Sequence, residues 1–197
     1  MPWKLPRAAA MLSLAALATG CSSTLVTLTK RSGIEPELLV RSLERAVSQL
    51  DVDRLAGKRV ALELFALTED QAFAQHFVAA LMEARGVDVV PEAGTADLRL
   101  RIFASVLGVD RGETMVGIPT FTAPLVGVPV PEIALFKWVR NRGRSEVQVF
   151  AYDARNDRLI DAIPAGVGQA KFDEFTLLLT ISFTNSDLDE PAAPTGG

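Results

Sequence analysis

The chain has 197 residues, of which 49% are hydrophobic, and it carries a formal net charge of −4 at neutral pH. This length suits one globular domain with a sizeable hydrophobic core. The acidic balance argues against nucleic acid as a partner, because phosphate binding needs a dense basic surface. Cys21 is the only cysteine, so the chain cannot form an intramolecular disulfide and depends on its core for stability.

The first 20 residues have the composition of a cleavable secretory signal. Lys4 and Arg7 precede a mainly apolar run over residues 8–18, and small residues follow directly before Cys21. The run is too short to span a membrane, which takes about 20 helical residues. It also lacks the polar face of an amphipathic first helix. We therefore predict a signal peptide over residues 1–20, whose removal leaves 18 basic and 24 acidic residues, a net charge of −6.

The residues around the cysteine resemble a known processing motif. Leu17-Ala18-Thr19-Gly20-Cys21 is similar to the bacterial lipobox, with Ala18 in place of the usual leucine. The resemblance implies a diacyl lipid on the Cys21 thiol, cleavage after Gly20 and acylation of the new amino group. Serines at positions 22 and 23 resemble the pattern that is sorted to the outer membrane. Several acyl chains hold a protein stably, at about 0.8 kcal/mol per buried methylene.

The front half of the chain predicts helices and short strands. Residues 21–33 are predicted to form a lipidated N-terminus and linker. Over residues 35–50, apolar residues recur at intervals of three and four residues, which predicts a helix. Residues 58–67 alternate as a strand, and residues 69–85 predict a second helix. The apolar stripe of that helix consists of Phe73, Phe77, Ala80, Leu81 and Ala84. A short strand at 87–90 completes a strand–helix–strand unit, for which a right-handed crossover is expected.

The back half of the chain predicts antiparallel strands. Apolar and polar residues alternate over 98–106, 146–152 and 175–183, and a turn is expected at 154–157. The acids, prolines and glycines of 187–197 predict a disordered tail. The predicted fold is α+β: a mixed sheet with an N-terminal helix, a strand–helix–strand unit and an antiparallel C-terminal half, forming a single periplasmic domain over residues 34–186.

One uncharged segment, residues 115–131, contains four prolines and two glycines among apolar residues. The prolines disfavour a regular helix or a central strand, and loops of this length are often functional. Three interpretations are open: an irregular part of the core, a protein interface, or a membrane contact. The candidate interface residues in it are Val116, Ile118, Phe121, Leu125, Val126 and Val128.

A basic cluster follows this segment. Asn141-Arg142-Gly143 predicts a hairpin tip between a strand near 133–139 and the next strand. Arg140, Arg142 and Arg144 join the candidate interface, because such a tip could meet anionic headgroups or glycan phosphates at about 1 kcal/mol per basic residue. The alternative is a solvated turn.

The sequence contains no recognisable catalytic motif. His76 is the only histidine, so no metal site of several histidines or cysteines can be built within one chain. No Gly-x-Ser-x-Gly elbow is present, and Gly166-Val167-Gly168 lacks the rest of a dinucleotide fingerprint. Carboxylates near strand ends leave an acid–base pair open without selecting one: Asp88, Glu92, Asp97, Asp110, Glu113 and Asp153. We expect no enzymatic activity, no metal and no cofactor.

Several segments together resemble an uncharacterised family of bacterial envelope lipoproteins, classed as a domain of unknown function. They are 42–51 with Leu55-Ala56-Gly57-Lys58, Gly108-Val109-Asp110-Arg111, Val116-Gly117-Ile118-Pro119, Pro131-Glu132-Ile133-Ala134-Leu135-Phe136-Lys137, Phe150-Ala151-Tyr152-Asp153 and Thr176-Leu177-Leu178. The resemblance implies a lipoprotein and no particular activity. The predicted order of elements is also remotely similar to curli-secretion lipoproteins and to lipoprotein activators of peptidoglycan synthases, although fold alone does not carry function.

These observations predict a non-enzymatic outer-membrane lipoprotein that faces the periplasm and acts through protein contacts in assembly or scaffolding. Its partner would be another envelope protein or a second copy of the chain. The alternative is a binding module for an apolar or anionic envelope component, either a lipid or a glycan.

Overall fold

The computed structural model of the chain describes residues 33–91, 93–123 and 127–190. The signal peptide, Cys21, residues 22–32 of the linker, and Leu125 and Val126 of the candidate interface lie outside these ranges. Within them the structure forms helices α1 (Ile34–Ser48) and α2 (Gln71–Ala84), and strands β1 (Arg59–Ala66), β2 (Asp88–Val89), β3 (Leu98–Ile118), β4 (Phe121–Thr122), β5 (Pro129–Val130), β6 (Ile133–Asp153), β7 (Leu159–Leu177) and β8 (Ile181–Ser186).

The main sheet is mixed and has the strand order β2-β1-β3-β6-β7-β8, while β4 and β5 form a separate two-stranded ribbon. Strand β1 is parallel to β2 and β3, and β7 is antiparallel to β8. The predicted mixed sheet is thereby confirmed. Helix α2 lies in the chain between the parallel strands β1 and β2.

The chain divides into two compact units. We call the described parts of 31–110, 141–171 and 187–190 the helical unit, and those of 111–140 and 172–186 the strand unit. Strands β3, β6 and β7 contribute residues to both units. The prediction of one domain over residues 34–186 stays a prediction.

Helix α1 packs closely on β6 and β7 within the helical unit. Its predicted apolar face is buried, and a Cβ added to Gly143, Gly166 or Gly168 would lie 1.8–2.4 Å from a backbone carbonyl oxygen of this helix. The hydroxyls of Ser42 and Ser145 lie 2.8 Å apart in the same contact. The glycines of Gly166-Val167-Gly168 therefore permit close helix–sheet packing, because no side chain would fit between the backbones.

The predicted stripe of α2 is rotated from the observed one. Ala74, Val78 and Met82 are the buried residues of this helix, whereas Phe73 is half exposed. Phe77 and Leu81 are partly buried against the core. Both sets recur at a spacing of four, so the apolar pattern alone did not distinguish the neighbouring faces.

Two predicted loops are strands in the structure. Met115 to Ile118 is the end of β3, and part of the remaining segment forms the β4–β5 ribbon, so 115–131 is not one irregular loop. The predicted hairpin tip at Asn141-Arg142-Gly143 is wrong, because β6 runs without a break from Ile133 to Asp153. Asn141 and Gly143 are buried in this strand, and Gly143 lies against the Leu38 carbonyl rather than in a turn.

The prediction of one continuous strand over 175–183 is wrong, because this segment contains a turn. The chain turns at Leu178, Leu179 and Thr180, and β8 returns antiparallel to β7 with Leu177 paired to Ile181. The turn places Leu178 and Leu179 at φ angles of 46° and 72°. Leucine rarely adopts this left-handed conformation. A turn was therefore not expected at these residues, and the alternation of apolar and polar residues indicated a strand.

The predicted disordered tail begins too early. Arg45 of α1 donates to the Asp187 carboxylate at 3.0 Å and to the Glu190 carbonyl oxygen at 3.2 Å. Leu188 is buried between them. Residues 187–190 therefore belong to the helical unit, and residues 191–197 lie outside the described ranges.

Candidate interaction surface of the strand unit

Exposed apolar side chains are concentrated in the strand unit. Of the fifteen large hydrophobic side chains exposed in the described chain, nine lie in this smaller unit. They are Val116, Phe121, Val128, Ile133, Leu135, Leu178, Leu179, Ile181 and Phe183. We call this set the apolar surface. Where exposed apolar side chains adjoin one another, they commonly mark sites that bind proteins or membranes.

The candidate residues of β3 and the ribbon fall partly on this surface. Val116, Phe121 and Val128 are exposed, and Ile118 is half-buried. The ribbon is closed by hydrogen bonds from the Ala123 N–H to the Val128 carbonyl and from the Gly127 N–H to the Ala123 carbonyl, both at 2.9 Å. Its apolar side chains are therefore held in a hairpin.

Gly117 fixes the approach of β3 to the start of β6. A Cβ at this position would lie 2.1 Å from the Ile133 carbonyl oxygen and 3.0 Å from the Ala134 Cα. No side chain can occupy that space without displacing the backbone. The glycine therefore allows Val116 and Ile118 to lie beside the first residues of β6.

The turn between β7 and β8 adds the two leucines that sequence analysis did not identify as surface residues. The Leu178 N–H donates to the Leu135 carbonyl at 2.9 Å, and the Leu179 N–H donates to the Ala134 carbonyl at 3.1 Å. These bonds hold the turn against β6. Leu178 is nevertheless 65% exposed and Leu179 55% exposed, so their side chains remain in solvent.

The left-handed conformation of these two leucines is costly, at roughly 1–2 kcal/mol for each residue that is not glycine. Glycine or asparagine would fit the turn at lower cost. Two large apolar side chains thus occupy positions where their backbone is strained and their burial contributes little. Such strain, when the surrounding structure holds it in place, is a recognised mark of functional sites.

A charged cleft of about 320 Å³ lies in the same unit. The Lys137 ammonium contacts Glu132 at 2.8 Å and Glu113 at 3.3 Å, and Arg111 and Glu174 also line the cleft. Burial lowers the pKa of Lys137, but the Glu132 hydrogen bond and the Glu113 charge outweigh it and raise the pKa above its usual value. The cluster therefore holds a lysine in its charged form between two carboxylates.

Three of the carboxylates left open by the sequence have different partners. Glu113 contacts Lys137, while Asp97 accepts a hydrogen bond from Arg59 at 3.0 Å. That bond holds the pKa of Asp97 below its usual value. Asp153 accepts from the Arg155 N–H in the turn after β6. Glu92 lies outside the described ranges, so the structure does not place it.

The three candidate arginines have separate surroundings along β6. The Arg140 guanidinium lies 4.6 Å from the ring centroid of Trp138. Arg142 is half-buried and donates to the Asn141 carbonyl at 2.9 Å. Arg144 is exposed, and its ion pair with Glu146 is long at 3.9 Å. The predicted basic tip is not formed.

Trp138 begins a stack of aromatic rings that crosses three strands. Its ring is stacked on Phe175 of β7 at 5.6 Å, and Phe175 is stacked on Phe183 of β8 at 4.9 Å, with interplanar angles of 14° and 11°. Cross-strand aromatic pairs stabilise a sheet by about 0.2–1 kcal/mol each. The last ring, Phe183, is 49% exposed at the edge strand.

Within the described chain, no helix is long and apolar enough to cross a membrane, and no group of three or more histidine, cysteine, aspartate or glutamate side chains is placed to hold a metal ion. A comparison with protein-family models finds no matching family, and a comparison with curated proteins finds no match. The resemblance to an envelope lipoprotein family therefore stays a prediction.

Proposed function

We propose that the protein is a lipid-anchored component of the bacterial outer membrane that faces the periplasm and binds another protein through the apolar surface. It acts without catalysing a reaction. The observation that carries this proposal is the pair of strained, exposed leucines, Leu178 and Leu179. Glycine or asparagine would suit the backbone of this turn better, whereas a binding partner would bury both leucine side chains.

The alternative of a lipid- or glycan-binding module has less support. It relied on Arg140, Arg142 and Arg144 meeting at a hairpin tip beside the apolar segment. Arg140 instead stacks on Trp138, and Arg142 contacts its own strand. A site for anionic headgroups needs several cations directed at one place, and the hairpin tip that would have grouped these three side chains is absent.

The proposal is tested by the native mass of the mature protein, extracted from membranes in mild detergent and corrected for bound detergent. We expect a mass above that of one chain. The double substitution Phe121→Ser and Val128→Ser should reduce the assembly, because both side chains are exposed on the ribbon and lie away from the core.

The matched control is Leu67→Ser, since Leu67 is 98% exposed but lies in the helical unit. It should leave the mass unchanged. Thermal unfolding of all variants should match that of the wild type. A wild-type mass of one chain, or equal loss of assembly in the control, would contradict the proposal.

A further inference from the structure

Strand β8 is an edge strand of the main sheet in the part of the chain that the structure describes. All six of its residues, Ile181-Ser182-Phe183-Thr184-Asn185-Ser186, are exposed, and none is charged or proline. In an antiparallel pair, alternate residues direct their backbone N–H and C=O groups away from the paired strand. Residues 181–185 of β8 thus present backbone groups beside an uncharged row of side chains.

Proteins usually protect such edges with charged residues, prolines, bulges or very short strands. The other end of the strand order follows this rule, because β2 has only two residues and one of them is Asp88. Strand β8 has none of these features and is three times as long. The unprotected edge is therefore suited to pair with an additional strand.

The aromatic stack supports an added strand at this edge. Its rings run from Trp138 through Phe175 to Phe183 and end on β8, with Phe183 half exposed. A further strand beside β8 would cover this last ring. Ile181 would also be covered. Because a strand of six residues alone makes a small interface, whereas stable ones bury about 1,200–2,000 Å², other residues of the apolar surface must contribute to the contact.

We propose that β8 pairs antiparallel with β8 of a second copy of this chain. A two-fold arrangement places like residues near each other, which repels charged strands but not this uncharged one. It also closes the sheet, because each copy covers the edge of the other. A lipid anchor would favour the pairing further, since it confines the copies to one membrane and raises their effective concentration.

This inference rests on the proposed function, because it names the partner that the apolar surface binds. The test is again the detergent-corrected native mass of the mature protein, with lysines placed on β8 by the double substitution Ser182→Lys and Thr184→Lys. Thr184 lies opposite Glu174 in the β7–β8 register, so a lysine there gains an opposite charge within the hairpin and the fold is retained. Across a two-fold axis the added lysines repel each other.

The wild type should have the mass of two chains and the β8 variant that of one. The control Ala162→Lys and Ala165→Lys adds the same charge at exposed residues of β7 in the helical unit and should stay at two. Of the single substitutions Ser182→Cys, Phe183→Cys and Thr184→Cys, the one nearest the two-fold axis should give a disulfide-linked dimer on mild oxidation, because only that position lies opposite its own copy, whereas Ala162→Cys should not. A lipidated Cys21 would not compete in this assay.

The outcomes separate the two proposals. If the β8 lysine variant keeps the wild-type mass, or if the complex contains a different protein, the second-copy inference is overturned while the proposed function stands. If the wild type has the mass of one chain, both are overturned.

Discussion

The Leu178 N–H donates a 2.9 Å hydrogen bond to the Leu135 carbonyl of β6, although Leu178 occupies the left-handed region at φ 46°. The bond recovers a backbone interaction that the turn would otherwise lose. It explains how the turn is held in place, but it does not explain the leucine side chain. Any residue supplies the same N–H, and glycine would do so with less strain.

Replacing both turn leucines should therefore abolish assembly without lowering the free energy of unfolding. For Leu178→Gly with Leu179→Gly we expect a free energy of unfolding that is unchanged or higher by up to about 1–2 kcal/mol, because relief of strain offsets the greater freedom of the unfolded chain. Assembly should be lost, because the apolar side chains are gone. Urea denaturation and native mass measure the two effects.

The matched variant is Leu178→Ala with Leu179→Ala, which keeps the Cβ atoms and hence the backbone strain. It should lose assembly without any gain in stability. A glycine variant that unfolds more easily than the alanine variant would contradict the strain argument, and an alanine variant that assembles normally would contradict the role of the side chains.

Gly117→Ala should destabilise the strand unit, because the new Cβ would lie 2.1 Å from the Ile133 carbonyl oxygen. The backbones of β3 and β6 must then separate, and we expect a loss of about 2 kcal/mol or more in the free energy of unfolding. Gly108→Ala is the control in the same strand, since its Cβ would have no neighbour within 4 Å. Equal effects of the two substitutions in urea denaturation would be evidence against a close approach at Gly117.

Sequence patterns predicted those helices and strands whose buried residues recur at the regular spacing of the element. Helix α1 was placed to within two residues at each end, because its apolar residues recur at the helical spacing and all face one sheet. The failures involve residues whose conformation is set by distant contacts. Asn141-Arg142-Gly143 has turn composition, yet Gly143 is needed where β6 meets the Leu38 carbonyl.

The residues of the candidate surface were predicted from the sequence only in part. Val116, Phe121 and Val128 stood out as apolar residues in an uncharged, proline-rich segment, and all three are exposed. Leu178 and Leu179 did not stand out, because the alternation around them fits a continuous strand. Only the left-handed backbone of the turn shows that they leave the sheet.

Lys137→Met should lower the free energy of unfolding by an amount that depends on pH, because it removes the ion pairs of the charged cleft. The raised pKa of Lys137 means that the folded chain binds its proton more tightly than the unfolded chain. Its contribution to stability is thus fully present below the unfolded pKa of lysine, about 10.4, and is lost as the pH rises through the higher folded pKa. The stability difference between wild type and variant should accordingly shrink above about pH 10.

Urea denaturation at pH 8, 10 and 11 measures this difference. Lys58→Met is the control, because Lys58 is exposed and no ion pair is seen for it in the described chain. The wild type and this control should change in parallel with pH. A Lys137→Met difference that stays constant over this range would mean that the ammonium charge does not stabilise the cleft.

Arg140→Gln should alter the environment of Trp138, whose ring lies 4.6 Å from the Arg140 guanidinium. A cation over an aromatic face contributes about 0.5–1 kcal/mol at an exposed site. After removal of the signal, Trp138 would be the only tryptophan, so its fluorescence emission reports this contact directly. Arg144→Gln is the control and should leave the emission unchanged. Arg142→Gln should also leave it unchanged, because the contact with Trp138 is made by Arg140.

Cys21→Ser tests the predicted membrane anchor, on which the proposed location depends. Without the thiol no diacyl lipid can be attached, and the protein should be lost from the outer-membrane fraction. Ser22→Ala is the control, because it keeps the cysteine and adds no charge. Ser22→Asp should leave the protein membrane-bound but shift it from the outer to the inner membrane, since the uncharged residue after the cysteine resembles the outer-membrane pattern. Retention of Cys21→Ser in the outer membrane at the wild-type level would contradict lipid anchoring and would instead make the apolar surface the first candidate for membrane binding.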